Sequence, residues 1–153
     1  MLGTVVALNS TPRSFLPMKS FDMLTLIAGV GVEGDRYSTT SGFYSHKLEE
    51  GRQLTLIESE TLVALRRDFG IELSFEEHRR NITTCGVALA HFIGRRLRIG
   101  PTLIEPTRIS QPCKHLEEIT GKLVYTPMLH RGGVNAKILE GGSIRVGDEI
   151  HIG

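Results

Sequence analysis

The apolar positions of this chain fall in short runs rich in valine, isoleucine and threonine, punctuated by glycine, and that rhythm predicts strands. Strands are expected at Gly3 to Leu8, Met23 to Ala28, Gly31 to Asp35, Gln53 to Ile57, Asn81 to Cys85, Arg95 to Ile99, Thr102 to Ser110, Val134 to Leu139 and Glu149 to Ile152. One stretch has helical spacing instead. From Ser59 to Phe69, Leu62, Leu65 and Phe69 form an apolar stripe predicted to be core, and Gly70 offers a left-handed stop. Ser74-Phe75-Glu76-Glu77 has capping-box spacing, which predicts a helical turn ahead of Arg79-Arg80-Asn81. A short helix is expected from Lys114 to Thr120, stopped by Gly121, and Thr39 to Gly51 suits a mobile surface loop. Gly141-Gly142 and Gly147-Asp148 read as hairpin turns. The whole is mainly β, a barrel or sandwich with a few short helices.

At 153 residues the chain fits one domain with a core of its own, and no linker or repeat divides it. Eighteen basic and seventeen acidic residues leave a formal charge of +1, so there is no global pull toward nucleic acid or an anionic membrane. Tryptophan is absent and aromatics are 6 % of residues, which leaves little for base stacking. Cys85 and Cys113 do not make a disulfide framework, no basic start precedes the first apolar run, and no stretch is long and apolar enough to span a bilayer. A cytoplasmic protein without a membrane partner is the expectation.

Charge is placed unevenly. Residues 79 to 98 hold five arginines and no acid, whereas residues 58 to 77 hold six acids against Arg66 and Arg67. A basic patch beside an acidic helix follows; it could grip phosphate, or Arg95, Arg96 and Arg98 could be a solvated rim. Arg80 lies between a capped turn and a strand, next to Asn81, where both could face a ligand. Gly31-Val32-Glu33-Gly34-Asp35-Arg36 reads as a tight turn ending in an ion pair or as a site for a ligand, without the spacing of a phosphate loop. In His130-Arg131-Gly132-Gly133, consecutive glycines would let backbone amides meet an anion beside a cation.

The candidate for chemistry is Cys113, in Gln-Pro-Cys-Lys-His-Leu, where Pro112 fixes its own φ and presents the thiol from a rigid turn. The plain alternative is a buried cysteine acting as a small hydrophobe. Cys113 with His115 is the nearest approach to a zinc pair, and nothing in the spacing singles out a cysteine protease. Cys85, before Gly86 in an expected strand, is assigned to packing.

Gly34-Asp35-Arg36, Arg52-Gln53-Leu54-Thr55-Leu56-Ile57, Arg79-Arg80-Asn81-Ile82, Leu97-Arg98-Ile99-Gly100, Pro112-Cys113, Arg131-Gly132-Gly133-Val134 and Gly147-Asp148 follow one another in the order of the MOSC domain, named for the C-terminal domain of molybdenum cofactor sulfurase. From residue 30 to residue 153 the chain resembles that family, and its length is similar to that of small free-standing bacterial members. The resemblance implies one domain over residues 1–153, a MOSC-type β-barrel like that of pyruvate kinase, with the family's characteristic cysteine at Cys113.

It implies molybdenum cofactor bound with Cys113 as thiolate ligand to the metal, and Arg36, Arg80, Asn81, Arg131, Gly132 and Gly133 around it. Soft sulfur suits that metal, and a neighbouring arginine favours the anionic thiol. Two activities follow from the resemblance. One is reduction of N-hydroxylated bases or amidoximes, small-molecule substrates, with electrons from a donor protein. The other is a sulfur carrier that receives a persulfide on Cys113 from a cysteine desulfurase; an inert barrel that binds pterin or phosphate is the third reading. Pyridoxal phosphate belongs to a domain this chain is too short to hold. Tyr37 stands where many members have histidine, and the first thirty residues match poorly.

Overall fold

Strand β5 (Leu54–Glu58) shows how alternation becomes architecture, because it is buried on both faces. Leu54 and Leu56 point into one hydrophobic cluster and Ile57 points the other way into a second. In the computed structural model, which describes residues 1–12, 16–35, 53–112 and 114–153, the first cluster fills a closed barrel and the second lies under the helices.

The other strands are β1 (Gly3–Ser10), β2 (Lys19–Phe21), β3 (Met23–Ile27), β4 (Gly31–Val32), β6 (Ile82–Cys85), β7 (Leu97–Ile99), β8 (Thr102–Ile109), β9 (Val134–Glu140), β10 (Gly142–Arg145) and β11 (Glu149–Ile152). Seven of them form the barrel in the order β11, β7, β8, β9, β5, β6, β1, closed by pairing of β1 with β11. Closure leaves no barrel strand with an unpaired edge. The β5–β6 pair is parallel, with Leu56 opposite Ile82, and the other pairs are antiparallel. A parallel pair needs a crossover, and α1 (Ser59–Phe69) begins it. Gly70 ends α1 at φ 65°, its N–H returned to the carbonyl of Arg66.

Two further short helices, α2 (Lys114–Thr120) and α3 (Tyr125–Met128), complete the second cluster through Leu116, Val124 and Met128. The capping box is formed: Ser74 N–H donates to Glu77 Oε1 at 2.9 Å, and Glu77 N–H to Ser74 Oγ at 3.3 Å. Among the described residues no helix is long and apolar enough to cross a membrane.

The pattern misled in identifiable places. Leu65 is buried and Leu62 packs partly, but Phe69 is 53 % exposed, so the apolar stripe is not core along its length. The strand expected through Asp35 stops at Val32, because Gly34 at φ 76° turns the chain and Asp35 N–H bonds to Val32 O. The Gly141-Gly142 turn is the entry to β10, which pairs with β3 from Gly142↔Leu26 to Arg145↔Met23. Strand β2 is exposed at all three residues, so alternation could not reveal it. Cys85 is exposed rather than packed. The expected loop from Thr39 to Gly51 and the role of Tyr37 lie outside the described residues.

Candidate functional site

The turn that leads into β6 is closed by a histidine the sequence reading did not select. His78 is fully buried; its Nδ1 accepts the backbone N–H of Arg80 at 2.9 Å, and its Nε2 faces Thr83 Oγ1 at 2.8 Å. With Nδ1 engaged as acceptor, the proton belongs on Nε2, which donates to Thr83. Burial, and then the charge of Arg80, push the His78 pKa down to about 3, so the ring is neutral.

Between His78 and Arg80, Arg79 has φ 67°, and His130, just before Arg131, has φ 66°. These are the non-glycine residues with left-handed φ among those described, and each such conformation costs on the order of 1 kcal/mol. Backbone strain at both turns is held by the surrounding bonds.

The Arg80 guanidinium joins the two turns. Its Nε donates to Gly132 O at 2.8 Å and its Nη2 to Ser110 O at 3.3 Å. Ser110 N–H donates in turn to Gly133 O at 2.8 Å, and Gln111 Oε1 accepts from His130 N–H at 2.9 Å. With its amide oriented to satisfy its neighbours, Asn135 donates to Ser110 Oγ at 3.0 Å and accepts from the Arg108 guanidinium at 3.1 and 3.2 Å. Ser110 is therefore a junction between β8, β9 and Arg80, and three residues later the chain reaches Cys113. Pro112 is buried, whereas Cys113 itself, and with it any pairing to His115, lies outside the described residues.

Gly132 and Gly133 sit at this junction for a steric reason. A Cβ on Gly132 would stand 2.3 Å from Ser110 O, and one on Gly133, at φ 96°, would stand 2.0 Å from Leu56 O. Only glycine allows the strands to approach so closely. Asn81 is fully buried and bonded into the barrel wall: Oδ1 accepts from Thr55 N–H and Oγ1, both at 3.1 Å, and Nδ2 donates to Asn9 O at 3.1 Å. Asn9, buried on the face of β1 opposite Leu8 because a bulge between Val5 and Ala7 reverses the alternation, returns a bond from its N–H to Asn81 O at 2.7 Å. A polar residue at a buried phase of β1 was the available signal for it.

Arg131 turns toward α1: Nε donates to Pro127 O at 2.8 Å and the guanidinium stands 5.7 Å from the centroid of the Phe69 ring. Asp35 is fully buried and accepts from Thr11 N–H at 3.2 Å; Arg36, its expected ion-pair partner, lies outside the described residues. The remaining arginines of the basic stretch take the rim reading. Arg95 lies 4.9 Å from the Phe92 ring centroid, Arg96 pairs with Glu105 at 3.9 Å, and Arg98 with Glu140 at 3.6 Å.

A groove of about 390 Å³ lies elsewhere, lined by Leu62, Arg66, Leu73, Glu77 and Lys122 among others; Arg80, Asn81, Arg131, Gly132 and Gly133 are not among its lining. Among the described residues no three of His, Cys, Asp and Glu cluster as a metal-binding group.

A closed, mainly β barrel is the architecture the sequence motifs anticipated. The family model described as the MOSC domain matches residues 44–151, and the chain belongs to that family. Among solved structures, the chain is similar to YuaD from Bacillus subtilis, at 18 % identity and TM-score 0.82, covering 98 % of this chain and 94 % of that one. It is also similar to YiiM from Escherichia coli, at 18 % identity and TM-score 0.70, covering 98 % and 69 %, and to YiiM from Geobacillus stearothermophilus, at 17 % identity and TM-score 0.65, covering 100 % and 74 %. These likenesses establish the shared fold. No curated protein matches the chain by sequence.

Proposed function

We propose that this chain is a cytoplasmic single-domain protein that binds molybdenum cofactor through the thiolate of Cys113 and reduces N-hydroxylated bases or amidoximes, taking electrons from a donor protein. The observation that carries the reading is the Arg80 bridge. A half-buried guanidinium is held by the carbonyl of Ser110, on the segment that runs into Cys113, and by that of Gly132, on the turn before β9. Its position is set before any anion arrives, which removes the ordering cost of a long side chain.

The residues fit the cofactor in donor chemistry: soft thiolate for the metal, arginine for the terminal phosphate. Arg80 would hold the phosphate, with Arg131 and Arg36 as further cations. Gly132 and Gly133 keep the backbone close, and Asn81 keeps β6 in register for Arg80 to reach across. When bound, the group supplies a two-electron redox centre. The balanced conversion is an N–OH compound with two electrons and two protons to the N–H compound and water.

Elemental analysis of protein made in a cofactor-competent host, beside Cys113→Ala, tests this. Stoichiometric molybdenum that disappears in the variant supports the reading, with reduction of a benzamidoxime by a chemical donor as the second step. A folded wild type without molybdenum overturns it and directs attention to persulfide transfer from a cysteine desulfurase.

A further inference from the structure

On the reading that Cys113 carries the chemistry, we propose that His78 is a positioning residue: its ring closes the left-handed turn at Arg79 and thereby aims the Arg80 guanidinium at the carbonyls of Gly132 and Ser110. A side chain that accepts the N–H two residues on is the arrangement of an Asx turn, usually supplied by asparagine or aspartate. Histidine does the same here and adds a second anchor, because Nε2 reaches Thr83 on β6 at 2.8 Å. The turn is thus tied to the barrel wall, and Arg80 leaves it in one direction.

Neutrality is part of the device. A protonated ring has no acceptor, so it would release the Arg80 N–H. The buried setting and the adjacent guanidinium both oppose a second positive charge. His78 touches neither the Ser110 segment nor Gly132 in the hydrogen bonds that define the junction; its influence passes through Arg80.

The test is alkylation of Cys113 by iodoacetamide in the full chain from about pH 6 to about pH 9, spanning the ordinary thiol range. Peptide mass spectrometry resolves the two cysteines, so exposed Cys85 reports on the same sample. His78→Leu and Arg80→Gln are each expected to slow Cys113 by about ten-fold, because the Arg80 guanidinium is no longer held on the Ser110 carbonyl, three residues ahead of the thiol in the chain. The double variant should be no slower than Arg80→Gln, as two residues acting through one group require. His78→Asn, whose Oδ1 can accept the same N–H, should stay within about two-fold of wild type.

A wild-type Cys113 profile in His78→Leu, equal slowing of both cysteines, or additive slowing in the double variant would overturn the proposal. Should His78→Leu not fold, Thr83→Val removes only the Nε2 acceptor and must slow Cys113 in the same direction; an unchanged profile there also overturns it. Molybdenum is measured on the same samples. If wild type holds none while the His78-dependent shift persists, the cofactor reading fails and the positioning role stands.

Discussion

Two regions of this molecule carry arginines that do different work. At the junction of β6, β8 and β9, Arg80 is half-buried and donates to two backbone carbonyls. On the barrel rim, Arg96 and Arg98 pair with Glu105 and Glu140 at 3.9 and 3.6 Å, and the two arginine side chains are 60 % and 40 % exposed. A backbone carbonyl tied down beside a strand end cannot move away, whereas a surface carboxylate can, and water competes for it. Arginine beside carbonyls is therefore fixed in direction, while arginine beside exposed carboxylates is only loosely confined.

The sharpest way to break the junction is Gly133→Ala. It puts a Cβ on the Leu56 carbonyl in a backbone conformation that favours glycine, and should cost about 3 kcal/mol or more, or prevent folding; urea unfolding measures it. An alanine tolerated at less than about 1 kcal/mol would mean the strands are not so closely held.

Arg80→Ala leaves carbonyls of the junction without their cationic donor and should cost about 2 to 3 kcal/mol. Arg80→Lys should recover only part of this, since a single ammonium lacks the fork that spans both carbonyls. Full recovery by lysine would place the effect in charge alone and erase the contrast with the rim.

Acid sharpens the comparison further. The folded protein keeps His78 neutral down to about pH 3, while the unfolded imidazole takes up its proton near 6.5. The unfolded state thus binds more protons between those values. The stability linked to His78 is complete above pH 6.5 and falls as pH drops toward 3, by roughly 2 kcal/mol at about pH 5. Glu76 and Glu77 contribute in the same direction. Glu76 lies below its ordinary value chiefly through its bond from Ser20, and burial raises Glu77, but bonds from Lys122 and Ser74 outweigh it. Denaturation across pH in wild type and His78→Asn separates them, because only the histidine share disappears in the variant.

The smallest effect belongs to the rim. Arg96→Ala and Arg98→Ala should each change stability by less than about 0.5 kcal/mol, and added salt should reduce even that. A loss near that of Arg80→Ala would show that exposure is not what separates the regions.

The pattern of apolar residues was sufficient for most barrel strands and for the helix from Ser59 to Phe69, because burial on a face repeats with the period of the element. Strand β2 escaped it since all three residues are exposed, and β10 escaped since its glycine looked like a turn. Gly132, Gly133 and Arg80 were recognisable from the sequence as special positions, but not for their steric and bridging reasons. Nothing in the spacing marked His78, whose meaning comes from a partner two residues on and another in the next strand.

Taken by itself, the sequence determined a β-rich fold of the MOSC family, since periodicity and ordered motifs are properties of the chain alone. Which arginine is held and which is merely solvated was decided by tertiary structure. Hydrogen-bond acceptors are assigned by the approach of strands distant in sequence, and Arg80 meets Gly132 52 residues away only once the barrel has closed.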